Sequence, residues 1–512
     1  MACSCCSIKV LFIVLICSVV FFIVSLLLAF VAFPDILYSE VNKATRLDEG
    51  TEQYDRFLDL PFPLTFKVYL FNVENPDEIL KGTAKPKLSE KGPYIYKQYR
   101  HKKILEIDED EDTISYTQME TFEFDAESSA PLTEDDMITV LNPPLMSVYH
   151  LAEGFMLAGA VDKCIRPTFP AGYDEIFIKV PVRHLMFEGF NFCRNKGSDL
   201  CSLVNDIVCT IASTKRNSDI LADYSLQFSF LNYKVREPDG KYTVKRGLDD
   251  IDRLGYISAW NGMKYTSYWG DGTTCSEVRG TDSTLYPPRI TKDNEFYIFA
   301  TDICRSVKIN YIREETYRDV DGYMFGTDKN TLQPSTNNSE ADCFCTKQSK
   351  DVDGQNSCFL DGVIDMQSCF GVPVLFSFPH FLWADEKYLN GVDGLSPNEE
   401  AHRTYLLVEP NTGTPLKGVK RIQLNAVIRP IAGIKSLIDT TKAVLPLLWI
   451  EEGVALTEEY TDELHSKYFD KVQILDGFKW ALIAVSALLV VIFGVLVVRK
   501  RFFNNTGQPD GL

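Results

Sequence analysis

Two stretches of the chain carry no charge, one near each end, and no comparable stretch lies between them. Val10 to Phe33 is uncharged throughout. About 24 residues at 1.5 Å rise exceed the roughly 30 Å of bilayer hydrocarbon. Trp480 to Val498 is a second run, about 19 residues long and just sufficient to span. The pattern predicts transmembrane helices over 10–33 and 480–498. Residues 1–9 and 499–512 are then tails on one side, and 34–479 a large domain on the other. Arg499, Lys500 and Arg501 follow the second run directly, so the positive-inside rule puts both tails in the cytosol. A cleaved signal peptide has an apolar core of about 7–15 residues and a small-x-small site. The first run is longer and ends in Val31-Ala32-Phe33-Pro34, which predicts an uncleaved anchor.

Between the runs, strand patterns dominate. Leu64–Leu70, Ser225–Leu231, Glu295–Ala300, Tyr405–Val408 and Ile422–Ile428 alternate apolar with mixed residues. In the last, Ile422, Leu424, Ala426 and Ile428 share one face, and Gln423 and Asn425 take the other. Pro238-Asp239-Gly240, Asn261-Gly262, Asp271-Gly272 and Asn411-Thr412-Gly413 punctuate the strands as turns. Helical spacing continues from the first run to about Leu47. It recurs over Pro144–Val161, with Leu145, Val148, Ala152, Phe155 and Met156 on one face, and over about Leu200–Ile211. With no linker or internal repeat, the fold class expected is α+β, one large domain with a mainly antiparallel β-core and a helical cap.

Cysteine usage agrees with this topology. Of 14 cysteines, Cys3, Cys5, Cys6 and Cys17 lie in or before the first run, and the other ten lie in the large domain, as disulfides of an oxidising compartment would. Cys275, Cys304, Cys343, Cys345, Cys358 and Cys369 lack zinc-finger spacing and predict three disulfides, in any of 15 pairings. Cys164, Cys193, Cys201 and Cys209 predict one or two more. Asn337-Asn338-Ser339 is an N-glycosylation acceptor. Cys3, Cys5 and Cys6, beside a span, are candidates for S-acylation.

A net charge of -19 and the absence of a basic stripe exclude nucleic acid as a partner. The acidic run Glu106–Asp112 reads as a solvated turn between strands. None of the six histidines lies in a His-Glu-x-x-His motif, and no nucleophile elbow or phosphate-cradling glycine loop is present. Asp319-Val320-Asp321-Gly322 and Asp351-Val352-Asp353-Gly354 lack the remaining calcium ligands of an EF-hand and read as ordinary turns. No catalytic residue, metal or cofactor is expected.

Several segments, taken in order, resemble one family. They are Leu64-Thr65-Phe66-Lys67-Val68-Tyr69-Leu70-Phe71-Asn72-Val73-Glu74-Asn75-Pro76, Glu90-Lys91-Gly92-Pro93-Tyr94, Gly280-Thr281-Asp282 with Pro287-Pro288, and Asp302-Ile303-Cys304-Arg305-Ser306. Pro379-His380-Phe381, Gly394-Leu395-Ser396-Pro397 and Glu409-Pro410-Asn411-Thr412-Gly413-Thr414 follow. Each is weak alone; in this order between two terminal spans, the chain resembles the class B scavenger receptors, which include the fatty-acid translocase and the lysosomal integral membrane protein. Phe177-Ile178-Lys179-Val180, Phe187-Glu188-Gly189 with Cys193, and Leu445 to Gly453 look most like the sensory neuron membrane protein branch.

The resemblance implies an irregular antiparallel β-barrel ectodomain, a helical cap and an internal hydrophobic tunnel. It implies the pairs Cys275–Cys343, Cys304–Cys369 and Cys345–Cys358. By position it places a lipid-contacting cation at Lys163, with Arg166 as second choice, beside Phe155 and Met156. The function expected is a cell-surface receptor that binds fatty acids, fatty-acid-derived pheromones, sterols or lipoprotein lipid and passes them toward the bilayer. The alternative is a docking receptor for a protein partner, a lysosomal enzyme or a neighbouring odorant or pheromone receptor channel, through the helical segment Pro144–Val161; a lipoprotein is a further expected partner. The tail Arg501–Leu512 carries no acidic-dileucine or tyrosine sorting signal, which favours the plasma membrane over the lysosomal membrane.

Overall fold

A computed structural model describes residues 7–194, 199–333 and 341–505. Cys3, Cys5, Cys6 and Asn337 lie outside the described residues. The chain divides into two units, Met1–Thr45 with Leu456–Leu512, and Arg46–Ala455.

The first unit is helical. Ile8–Leu27, a π-helical turn Leu28–Ala32 and Phe33–Thr45 run on as one rod, close to the predicted end at Leu47. Glu458–Leu464, a π-turn His465–Phe469 and Asp470–Asn505 form the second. Both are long and apolar enough to cross a membrane. They pack against each other. Within the uncharged runs the buried residues are Leu11, Ser18, Ser25 and Ala29 on the first rod, and Ser486 and Val497 on the second. Leu11, Ser18 and Ser25 are seven residues apart, the interval of a two-helix seam. Small residues there let helices approach in lipid, where apolar burial supplies no drive. The Ser18 and Ser25 hydroxyls each donate to their own helix, to Val14 O and Phe21 O, both at 2.8 Å.

The second unit is built on a 13-stranded antiparallel sheet. Its path runs Ile257–Trp260, Lys241–Lys245, Thr113–Phe124, Leu88–Asp108, Leu64–Val73, Ala443–Ala455, Pro415–Ile428, Tyr405–Val408, Val320–Gly326, Arg305–Tyr317, Phe296–Ala300. Leu375–Ser377, with Val363–Asp365 beyond it, branches from Pro415–Ile428. The central strand Ala443–Ala455 is buried from Ala443 to Glu452, because neighbours and layers cover both of its faces. Proline in a central strand is tolerated at a bulge. Here Leu424 faces Leu448 and Asn425 faces Pro446, so Leu447 is the extra residue and Pro446 loses no ladder bond it needs.

The two edge strands of this sheet do not pair with each other. Single bridges from Thr281, to Tyr256 and to Ile298, join both edges to one segment. Gly280 there has φ +80°, and a Cβ would stand 1.7 Å from Tyr297 O, so the first residue of the Gly280-Thr281-Asp282 motif has to be glycine.

Three sequence expectations change in detail. Ser225–Leu231 contains only the short strand Leu226–Phe228. Pro144–Val161 is two helices, Pro143–Gly154 and Ala158–Cys164, broken at Phe155–Leu157 where Met156 takes φ 57°. Leu145, Val148 and Ala152 are buried as one face, but Phe155 and Met156 are 63% and 94% exposed because the break turns them out. The acidic run does form the turn of the Leu88–Asp108/Thr113–Phe124 hairpin, yet Asp112 is not solvated. Its carboxylate accepts from Leu248 N at 2.9 Å and Asp249 N at 3.1 Å.

Candidate functional site

Helix Pro143–Gly154 begins where Asn142 caps it. The Asn142 Oδ1 accepts from Leu145 N at 3.3 Å, and its amide donates to Tyr173 O and Glu175 O. Pro143 and Pro144 occupy the first turn, where their missing N–H groups cost nothing. The other end is pinned to the sheet. Arg429, with 3% of its side chain exposed, forms a bidentate pair with Glu153.

Helix Asp199–Ser213 is held by disulfides Cys164–Cys201 and Cys193–Cys209. The remaining pairs are Cys275–Cys343, Cys304–Cys369 and Cys345–Cys358. Ile207, Val208, Ile211 and Ala212 repeat at helical spacing and face inward.

These helices and the sheet line an open-mouthed, mostly apolar cavity. Ile422, Leu424 and Ala426, the face read from alternation, line the sheet side, with the bulged Leu447 and Ile450. Phe228, Phe230, Phe370 and Phe376 complete a mostly apolar wall. The opposite face of the same strand is buried too. Gln423 and Asn425 hydrogen-bond each other and Ser377, and Gln423 Oε1 accepts from His380 N at 2.7 Å.

Four acidic or basic side chains line the cavity, His150, Lys215, Lys234 and Asp302, together with Tyr233, whose phenol burial keeps protonated. His150 donates through Nε2 to Val427 O at 2.9 Å, and burial, then Arg429, lower its pKa to about 4, so it is neutral. Lys234 lies 2.7 Å from Asp302 and 3.2 Å from Glu120. Lys420 also pairs with Asp302, at 2.7 Å, and with Glu452, which holds Arg100. Arg100, Lys234 and Lys420 thus balance Glu120, Asp302 and Glu452. Burial would raise the Asp302 carboxyl, but Lys234 and Lys420 hold it well below its ordinary range.

Of the residues singled out from the sequence, Phe155 lines the cavity. Met156 stands beside it, exposed, and is not in the wall. Lys163 is exposed in the last turn of Ala158–Cys164, outside the wall. Arg166 is half-buried, 4.0 Å from Glu175 and next to the Tyr149 hydroxyl. Lys215 was not legible: it follows the helix in Ser213-Thr214-Lys215-Arg216, a polar stretch like any helix end.

A large unit with an apolar cavity, on a chain with a membrane-length apolar helix towards each end, is the make-up of a membrane protein. The family model of the CD36 family matches residues 16–497, and the chain belongs to that family. It is similar to sensory neuron membrane protein 2 of Anopheles gambiae, 33% identical over 93% of this chain and 91% of the relative. Sensory neuron membrane protein 2 of Manduca sexta is 34% identical, over 94% and 93%. Sensory neuron membrane protein 1 of Apis mellifera is 31% identical, over 89% and 85%. The protein is a membrane receptor of this family.

Proposed function

We propose that the protein takes hydrophobic ligands, such as fatty acids, fatty-acid-derived pheromones, sterols or lipoprotein lipid, into this cavity. In this proposal it passes them along a tunnel through a barrel-like ectodomain to the plasma membrane, with both termini cytosolic. The observation that carries the reading is the apolar wall between the helices and the sheet. Each CH₂ withdrawn from water contributes about 0.8 kcal/mol, so a long chain partitions into such a space without any covalent step. Phe155 and Met156 form an apolar lip, and Lys163, backed by Arg166, meets an approaching anionic head. A glycan at Asn337 and acyl groups on Cys3, Cys5 and Cys6 belong to the same reading.

The test uses the full chain in nanodiscs, with empty discs subtracted, and displacement of a fluorescent fatty acid by a lipid panel. Saturable binding in the micromolar range, lost in Ala426→Trp, is expected, because that side chain grows into the cavity. Absence of saturable binding by folded protein overturns the proposal. A second reading, a docking receptor for a protein partner, rests on the exposed Phe155, Met156, Leu157 and Leu203. It predicts that Ala426→Trp leaves function intact.

A further inference from the structure

Resting on the lipid reading above, we infer that Lys215 is the head-group ligand of the cavity and makes it selective for monoanionic chains, carboxylates above all, over neutral chains of equal length. The inference comes from elimination among the ionisable groups of the wall. Lys234 and Asp302 are paired with each other, and their further partners Glu120 and Lys420 leave no net charge to offer. His150 uses its Nε2–H on a backbone carbonyl and is neutral at physiological pH. Lys215 has no carboxylate within ion-pair distance among the described residues, although it lines a wall that is otherwise nearly all apolar.

Its surroundings join the cation to the apolar wall. Gly371 has φ +69°, and a Cβ there would stand 2.9 Å from Lys215 Nζ, so the ammonium lies against a backbone that no side chain crowds. Phe370 and Val372, on either side of that glycine, belong to the cavity wall, so the cation and the apolar surface are contiguous. Ser218 lines the same region, and its N–H donates to Lys215 O at 3.0 Å, which fixes the turn that carries the lysine. An ammonium beside an apolar wall fits an amphiphile with one negative charge at the end of a hydrocarbon chain. A carboxylate there accepts from the ammonium and opposes its charge, whereas an alcohol of the same length accepts without any charge of its own.

The test compares palmitate and hexadecanol on full-length protein in zwitterionic nanodiscs, by scintillation proximity with empty discs subtracted. Wild type is expected to bind palmitate tighter than hexadecanol by roughly tenfold or more. Lys215→Met should bring the two Kd values together by weakening palmitate, with hexadecanol changing far less, and Lys215→Arg should keep the difference. The hexadecanol Kd serves as the folding control. Equal Kd values in wild type overturn the inference, as does a ratio that survives Lys215→Met or is lost in Lys163→Ala instead; in each case lipid binding stands. Failure of wild type to bind either probe overturns the lipid reading, and this inference with it.

Discussion

Asp239 is the odd charge in the buried network, and its neutral replacement should stabilise the protein. Its backbone is at the turn Pro238-Asp239-Gly240, but its carboxylate points inward and its Oδ1 is shielded from solvent with no hydrogen-bond partner. Tyr242 OH donates to the other oxygen at 2.8 Å. Burial, then the nearby Glu120 carboxylate, push its pKa up from 3.8 to about 6, against the lowering effects of Tyr242, Lys234 and Arg100. The neighbouring cations are already matched by Glu120, Asp302 and Glu452, so Asp239 adds a negative charge that nothing balances. Its folded-state pKa lies above the unfolded one. The folded state therefore binds the extra proton between about pH 4 and 6, and stability falls as pH rises through that window. Two pKa units correspond to about 3 kcal/mol. An asparagine amide must itself be desolvated, so Asp239→Asn should gain about 1–2 kcal/mol at pH 7.5 and nothing at pH 4. Thermal unfolding of wild type and variant from pH 4 to 8 measures this. A midpoint difference that does not change with pH, or a less stable variant at pH 7.5, would refute the assignment.

Other perturbations probe the walls of the cavity. Replacing Cys164 and Cys201 by Ala opens a loop with a sequence separation of 37. It should cost up to about 4 kcal/mol, less to the extent that Cys193–Cys209 already constrains the same segment, read as a lower denaturant midpoint without reductant. Glu153→Gln leaves the Arg429 guanidinium buried without a carboxylate and should destabilise by about 3 kcal/mol in a denaturant titration at pH 7. Burial would raise the Glu153 pKa, but its hydrogen bonds to Arg429 lower it below 4.5. The contribution of that pair is thus present at neutral pH and lost as pH falls through the folded pKa, so the penalty should shrink in acid.

The elements most legible in the sequence are those governed by local chemistry. The uncharged runs at both ends, the strand Tyr405–Val408 and the face Ile422/Leu424/Ala426 needed only hydropathy and period. The break at Phe155–Leu157 was less legible, because Leu145, Val148, Ala152 and Phe155 keep helical spacing across it. What ends the helix is Gly154 and, two residues on, Met156 at positive φ. Long-range pairings were opaque. Nothing in the period of Gln423 and Asn425 says that the polar face of their strand is buried under Ser377 and His380, since Leu375–Ser377 docks there from about 50 residues away in sequence. Lys215 escaped for the same reason: a lysine at a helix end is ordinarily solvated, and only the loop at Gly371 makes it part of a wall.

The cavity and the charge network constrain each other. An apolar space left between packed layers gives up dispersion contacts. It persists because its two sides are held independently of its contents. The helix side is tied by two disulfides and by the Arg429–Glu153 pair, and the sheet side by a strand ladder whose bulge puts Leu447 into the wall. Lys234 and Asp302, in the same wall, are matched in pairs and so add little field to the space. A cavity whose other charges are balanced and whose one unmatched charge, among the described residues, is the Lys215 ammonium has one preferred orientation for an amphiphile. A ligand that binds only the folded protein adds RT ln(1 + [L]/Kd) to its stability. On this account palmitate should raise the unfolding midpoint of wild type more than hexadecanol at equal concentration, and the two should act alike on Lys215→Met.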